Sequence, residues 1–578
     1  DFTTIDPHLG TNDDMALLIS SAHERGMKVY FDILVNHTAD VLTYAGGDYS
    51  YIPEVERPWL DATGTPFDDN AVANTPEFPE LNLASFPKEP VFADEADRTA
   101  KTPAWLNDPT MYHNRGDTTW EGESATYGDF SGLDDLFTER PEVLDGMSEI
   151  YEAWIAMGVD GFRIDTVKHV NLEFWRAFVP RMQEAARKHG NDDFFMFGEV
   201  FDADPTVLSG YTTTGRLPAT LDFGFQGAIR AVAAGQSPTA LANLWASDDL
   251  YTDGDSSAYS LPTFTGNHDM GRLAMMLAQQ GFSGDDLVRR VTLAHDLMYS
   301  TRGQPVIYYG DEQGFAGSGG DKDARQDMFA TRVAQYASEP LADGTPLGST
   351  DHFGTGGEIY HRIAISAAMQ QLIPALATGA QVVRQADAEA GILALSRIDR
   401  SSGTEVLVVA NTATEVKSAS FSTWSPEVTY WRVDDLAGGP AQVPTDVDGH
   451  VSLDVPPLSV LVLHPSGSMA IAASPADVDL TAPHEGARAN GMIEISAAMP
   501  ADRFAMVTFW WRPTGGEWAS LGTDDTPTAR DDGRAGYRVV VDSTSLPDGS
   551  LIEVRVVAKD SGGRVSVDGG SFLVGQAG

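Results

Sequence analysis

The chain has 578 residues, 84 of them acidic against 38 basic, for a formal charge of −46; 42% are hydrophobic and none is cysteine. Such a balance excludes nucleic acid and anionic membranes as partners, which carry the same sign of charge, and the lack of thiols excludes disulfides, zinc–thiolate sites and thiol catalysis. At about 150 residues per domain the length indicates three or four domains, and no apolar run reaches the ~18 residues of a membrane-spanning helix.

Residues 12–28 read as a helix: Asn12 or Asp13 caps it, Met15, Leu18, Ile19 and Ala22 recur at helical spacing, and Gly26 closes it. Val29–Val35 follows as a buried strand with Asn36 and His37 at its end. Residues 38–130 are rich in Pro, Gly, Asp and Asn, with Tyr44, Trp59, Phe67, Trp105, Tyr112, Trp120 and Tyr127 spread among them. A structureless loop this long is improbable in a compact domain, so a small inserted domain is expected, its aromatics divided between core and sugar-stacking positions. After Gly132–Phe137 comes a helix at about 141–157, with Pro141 near its first turn, and then the apolar strand Val159–Ile164. Arg163 and Asp165 stand two residues apart, so both side chains project to the same side. An adjacent arginine keeps an aspartate ionised, which a carboxylate nucleophile requires; taken alone, such a pair is more often a structural ion pair.

A helix at 172–188 leads to the strand 194–198, which delivers Glu199, and a strand at Leu261–Thr265 runs toward His268 and Asp269. Thr220–Phe225 reads as a further strand, 284–300 as a helix before Gly303–Glu312, 316–356 as a surface loop and 357–377 as a helix. From about 385 the texture changes to short alternating strands, then to a linker at Ser466–Pro475 and a second alternating region at 476–578. The last region fits an immunoglobulin-like or fibronectin-type sandwich, in which Trp510, Trp511 and Trp518 are either core residues or carbohydrate contacts.

Strand ends that each deliver a carboxylate fit a barrel whose chemistry gathers at one face, and two carboxylates flanking a glycosidic bond are what sugar hydrolysis needs. Asp32-Ile-Leu-Val-Asn-His37, Gly158–His169, Phe195–Val200 and Thr263–Asp269 together resemble the four signature regions of the α-amylase family of glycoside hydrolases (family thirteen), in the same order, over roughly residues 1–465. The resemblance implies an α/β fold, a TIM-type barrel at 1–377 with an insert at about 38–130 and an antiparallel β domain at 385–465, and the strand spacing adds the sandwich at 476–578. Asp1–Thr11 resembles the family's loop after the second barrel strand, so two further βα units, on the order of 60 residues, are expected upstream, with any export signal beyond them.

The implied activity is retaining hydrolysis of α-1,4 bonds in starch-like α-glucans. Asp165 would be the nucleophile, Glu199 the proton donor and Asp269 the residue that holds sugar hydroxyls and steadies the oxocarbenium-like transition state. His37, Arg163 and His268 would position nucleophile and sugar, and Lys168 and His169 resemble a pair on the leaving-group side that favours α-1,4 over α-1,6 cleavage. Calcium is the implied cofactor, held by hard oxygens from Asn36, Asp135 and the carbonyl near His169. An extracellular monomer acting on polysaccharide or oligosaccharide is expected. The alternatives are an α-1,6-acting or transglycosylating relative, such as a neopullulanase or oligo-glucosidase, and a non-catalytic glycan-binding relative.

Overall fold

A parallel four-stranded sheet, ordered Tyr30–Ile33, Gly161–Ile164, Phe195–Gly198, Ala219–Thr220, carries the segments singled out above. The computed structural model describes residues 1–434, 438–472, 474–544 and 546–575. The chain divides into two compact units, Asp1–Phe201 with Gly210–Leu221, and Asp202–Ser209 with Asp222–Gly578.

In the first unit, Ile33 pairs with Ile164, Ile164 with Gly198 and Gly198 with Thr220. The strands therefore end level, and Asp165 and Glu199, each one residue further on, emerge side by side. Gly161–Ile164 is buried throughout, as an interior parallel strand must be, whereas Tyr30 and Asp32 on the outer strand are exposed. Gly161 is required: a Cβ there would lie 1.7 Å from the Tyr30 ring and 2.2 Å from the Phe195 carbonyl. The helix Pro141–Met157 begins on its proline, ends on Gly158 at φ 109° and buries Val143, Met147, Ile150 and Trp154. It packs against Leu172–Lys188. The first helix is shorter than its pattern indicated, Asn12–His23, because Thr11 and Asp14 cap each other reciprocally and the chain turns at Glu24.

Residues 38–130 hold short elements, including the hairpin of Leu42–Tyr44 and Pro90–Phe92. Trp59, Phe86 and Tyr127 cluster with Phe137 as a small aromatic core, and Lys101 forms a buried ion pair with Asp134. Tyr44 and Tyr112 are also buried, but Trp120 is 50% exposed.

In the second unit, Pro262–Phe264 and Gln304–Val306 pair in parallel. Thr220–Phe225 is not one strand: pairing stops at Thr220, and the Asp222 side chain caps a helix, Phe223–Ala233, by accepting the Phe225 N–H. The helix read at 357–377 breaks at Ile373, since Pro374 starts a new turn. Six antiparallel strands then form a sheet with Ile392–Ile398 and Glu405–Asn411 inside it. One face, with Leu393, Leu395, Val406 and Val408, meets the helices Gly284–Ser300 and Glu358–Leu372. Ile392, Ala394, Leu407 and Val409 on the other face meet the pair Lys417–Ser422 and His450–Val455. The last strands form sheets of four and five around a shared core of Ile495, Val507, Phe509, Val539 and Val556. Trp511 packs on that core, and Trp518 lies between the guanidiniums of Arg512 and Arg555, at 4.5 and 4.3 Å. Arg538 bonds Asp249, and Arg400 bonds Asp525, whose carboxylate also accepts from Tyr259. Among the described residues no helix is long and apolar enough to cross a membrane.

Arg302, 1% exposed, bonds both Asp222 and Asp248, and burial raises Asp248 to about 6 despite that cation. Arg302→Met would leave two buried carboxylates without their cation, which costs about 3–5 kcal/mol. Chemical denaturation should show a loss of that size, and adding Asp248→Asn should recover part of it.

Candidate active site

Arg163 organises the strand ends. Its Nη1 bonds Asp165 Oδ1 at 2.5 Å and Asp32 Oδ1 at 2.7 Å, and its Nη2 lies 3.2 Å from Glu199 Oε1. Glu199 also accepts the Thr166 N–H at 3.2 Å and hydrogen-bonds with Asp165. The two carboxyls thus share one guanidinium. Their exposures differ: the Asp165 side chain is 28% accessible and that of Glu199 is 10%. Burial pushes Glu199 up to about 7; Arg163 opposes this and the Asp165 carboxylate adds to it. A protonated acid beside a more open carboxylate has the asymmetry that a donor–nucleophile pair needs.

Around this pair, His37 is buried and its ring stacks on Phe130 at 5.0 Å. Burial lowers it to about 4, so the imidazole is neutral, and its Nδ1 lies 2.8 Å from Asn36 Oδ1. His169 donates from Nδ1 to the Ala125 carbonyl at 2.6 Å and meets Phe130 and Trp120 edge-on; burial holds it below the usual imidazole range. Lys168 Nζ reaches the Phe201 carbonyl at 3.5 Å. Trp120, at φ 66°, holds a backbone conformation rare for a bulky residue, with its indole exposed.

In the second unit the turn after Pro262–Phe264 is fixed by Asn267, whose side chain accepts the Asp269 and Met270 N–H groups. His268 Nε2 lies 3.2 Å from Asp269 Oδ2, and Arg325 Nη2 lies 3.5 Å from Asp269 Oδ1 and 3.2 Å from Asp321. The Asp269 carbonyl accepts the Asp321 N–H at 2.7 Å. The sequence reading missed Asp321 and Arg325. They lie in the irregular 316–356 loop, and no periodicity marks them; only the tertiary contact does.

The expected metal ligands come together in part. Asn36 and Asp135 are buried on adjacent segments, with Leu136 N–H donating to the Asn36 carbonyl at 2.7 Å. Asn36 Oδ1 is taken by Thr166 Oγ1 and His37 Nδ1, while Asn36 Nδ2 is buried with no partner among the described residues. Turning the amide over would place its oxygen at the vacant position and let Thr166 and His37 accept from the nitrogen. Burial raises Asp135 to about 8, with His113 Nδ1 bonded to it at 2.6 Å. An acid so short of positive charge suits a cation of the kind that hard oxygens hold. No group of three or more His, Cys, Asp or Glu arranged for a metal occurs among the described residues.

Residues 1–342 match the family described as "Alpha amylase, catalytic domain". The chain belongs to the α-amylase family. An α-amylase of Streptomyces lividans is 45% identical over 573 residues, 98% of this chain, and the chain spans 61% of that protein's length. A cyclomaltodextrin glucanotransferase of Geobacillus stearothermophilus is 26% identical over 377 residues, 62% of this chain and 44% of its own length. Among solved structures, an Anoxybacillus α-amylase superposes with a TM-score of 0.58 at 23% identity, covering 82% of this chain and 83% of its own. The γ-cyclomaltodextrin glucanotransferase of alkalophilic Bacillus clarkii does so at 0.56 and 18%, covering 100% and 85%. The fold shared with these α-amylase-family structures is a TIM barrel followed by C-terminal β domains.

The opposing influences on Glu199 make a paired test. Arg163→Met removes a cation, so the Glu199 titration should move above about 7; Asp165→Asn removes a negative charge, so it should move below. Difference infrared spectroscopy of the carboxyl band against pH reads both shifts.

Proposed function

We propose that the chain hydrolyses α-1,4-glucosidic bonds of starch-like α-glucans with retention of anomeric configuration. The reading rests on one observation above the rest: Asp165 and Glu199 meet on the Arg163 guanidinium, and Glu199 is pushed to about 7. Asp165, the more open carboxylate, attacks the anomeric carbon while Glu199 gives its proton to the departing glycosidic oxygen, leaving a glycosyl ester on Asp165. Glu199, now ionised, takes a proton from water, whose oxygen attacks the same carbon and releases Asp165. Two inversions give net retention.

Neutral His37 offers Nε2 to a sugar hydroxyl, Asp269 and His268 bind sugar hydroxyls, and Arg163 holds the Asp165 carboxylate in place. Lys168 and His169 lie toward the leaving group, where the exposed Trp120 indole supplies an apolar face for a glucose ring. We assign Asn36 (with its amide turned over), Asp135 and the His169 carbonyl to calcium. The ion would supply positive charge to the buried Asp135 and tie the 38–130 insert to the strand ends. The reading also takes the molecule as an extracellular monomer, with 1–377 as barrel, 385–465 as β domain and 476–578 as an immunoglobulin-like module.

Retention is tested by NMR on the first product from a maltooligosaccharide. The α anomer should appear first, and initial release of the β anomer overturns the reading. Because Glu199 works as the protonated acid, kcat/KM should be sustained below its titration and fall as pH rises through about 7. Glu199→Gln should cut turnover on poor leaving groups by about 10²–10⁴ and partly spare bond cleavage with an activated leaving group, while Asp165→Asn spares neither.

Chelation should lower the melting temperature if those oxygens hold calcium, since an ion bound only by the folded state contributes ~2.7 kcal/mol at a hundredfold excess over its dissociation constant. A melting curve unmoved by excess EDTA removes calcium from the reading.

A further inference from the structure

Between Asp165 and the turn Val167–His169 stands Thr166, a β-branched residue with left-handed backbone, φ 54° and ψ 29°. A branched side chain there crowds its own carbonyl, at a cost of order 1–3 kcal/mol, and such a conformation persists only where the surroundings enforce it. Glycine would adopt it freely.

The enforcing contacts can be named. Thr166 is 7% exposed, and its Oγ1 lies 2.5 Å from Asn36 Oδ1, on the neighbouring strand's end. Its carbonyl accepts the His169 N–H at 2.9 Å, closing the turn. The left-handed bend puts consecutive N–H groups on a single residue: Val167 N–H donates to the Glu199 carbonyl at 3.0 Å, and Thr166 N–H donates to Glu199 Oε2 at 3.2 Å. Glu199 is therefore gripped at both ends, main chain and carboxyl. Without the bend, the Val167 N–H would not turn back to the Glu199 carbonyl.

We propose that Thr166 is a positioning residue for Glu199: its hydroxyl, anchored on the Asn36 amide, locks a left-handed backbone that turns the Val167 N–H onto the Glu199 carbonyl, while its own N–H holds the Glu199 carboxyl. It makes no contact with the sugar and acts only through the acid, whose Oε2 its N–H holds. The anchor holds whichever way the Asn36 amide faces, because a hydroxyl donates or accepts. The inference rests on the functional reading above, in which Glu199 is the proton donor.

The test compares Thr166→Val, which keeps shape and branching but removes the hydroxyl, with Thr166→Ser, which keeps the hydroxyl, and Thr166→Gly, which removes strain and anchor together. Each is assayed on a maltooligosaccharide and on a glucoside with an activated leaving group, under conditions where bond cleavage limits the rate. Thr166→Val should lower kcat on the maltooligosaccharide roughly tenfold to a hundredfold, the scale of a misplaced catalytic group. KM should hardly move, and the activated substrate should lose far less. Thr166→Ser should recover most of the loss. Thr166→Gly folds without needing the anchor, so it decides the matter if the valine variant fails to fold; it should show the same leaving-group dependence although its strain is gone.

Thr166→Val and Thr166→Gly both at wild-type kcat would overturn the proposal, as would equal losses on the two substrates, which mark a general distortion. Glu199→Gln run alongside separates the two failures. If it stays fully active, the assignment of Glu199 has failed; if it is inactive while the Thr166 variants are normal, only the positioning role has.

Discussion

A single guanidinium faces three carboxylates. Arg163 contacts Asp32, Asp165 and Glu199, and one positive charge cannot balance three negative ones in a half-buried cleft. The least accessible acid retains its proton, and that acid is Glu199. The division of labour between donor and nucleophile thus follows from counting charges before any substrate arrives. The local structure serves this count. Level strand ends bring Asp165 and Glu199 together, and the missing Cβ of Gly161 lets the flanking strands close up around the central one.

What could be read from the sequence was whatever is local along the chain. Arg163 and Asp165 project together because a strand alternates, and Glu199 follows an apolar run; both facts need only neighbouring residues. The helix Pro141–Met157 carries its own start and stop signals. The misreadings have equally local causes. At Thr220–Phe225 an apolar run hid a cap, because Asp222 looks like a polar interruption until its side chain is seen bonded to the Phe225 N–H. Leu372 to Thr378 kept a helical rhythm across a proline that breaks it. Thr166 and Arg325 were passed over because their interest lies in a dihedral angle and a contact across a loop, and Trp120 could not be told from its buried neighbours until its exposure was known. None of these is encoded by residue type.

The β region illustrates the same boundary from the other side. Ile392–Ile398 and Glu405–Asn411 are buried at every position, since helices cover one face and a two-stranded pair covers the other. Sequence alternation announces strands, but the covering of a second face is known only once the neighbours are placed. Trp518 makes a similar point. Its indole faces are occupied by Arg512 and Arg555, an arrangement that no spacing of tryptophans reveals.

The ion pairs Arg538–Asp249 and Arg400–Asp525 bear on how the molecule would come apart. They join the last sandwich to the helical segment before Pro262 and to the six-stranded sheet, so the connecting stretch near residue 470 is not the sole tether. A protease that nicked this stretch would leave the sandwich held by these ion pairs rather than by the chain. Heating would dissolve these parts together, in a shared transition, and salt would loosen them in step by screening the exposed arginines.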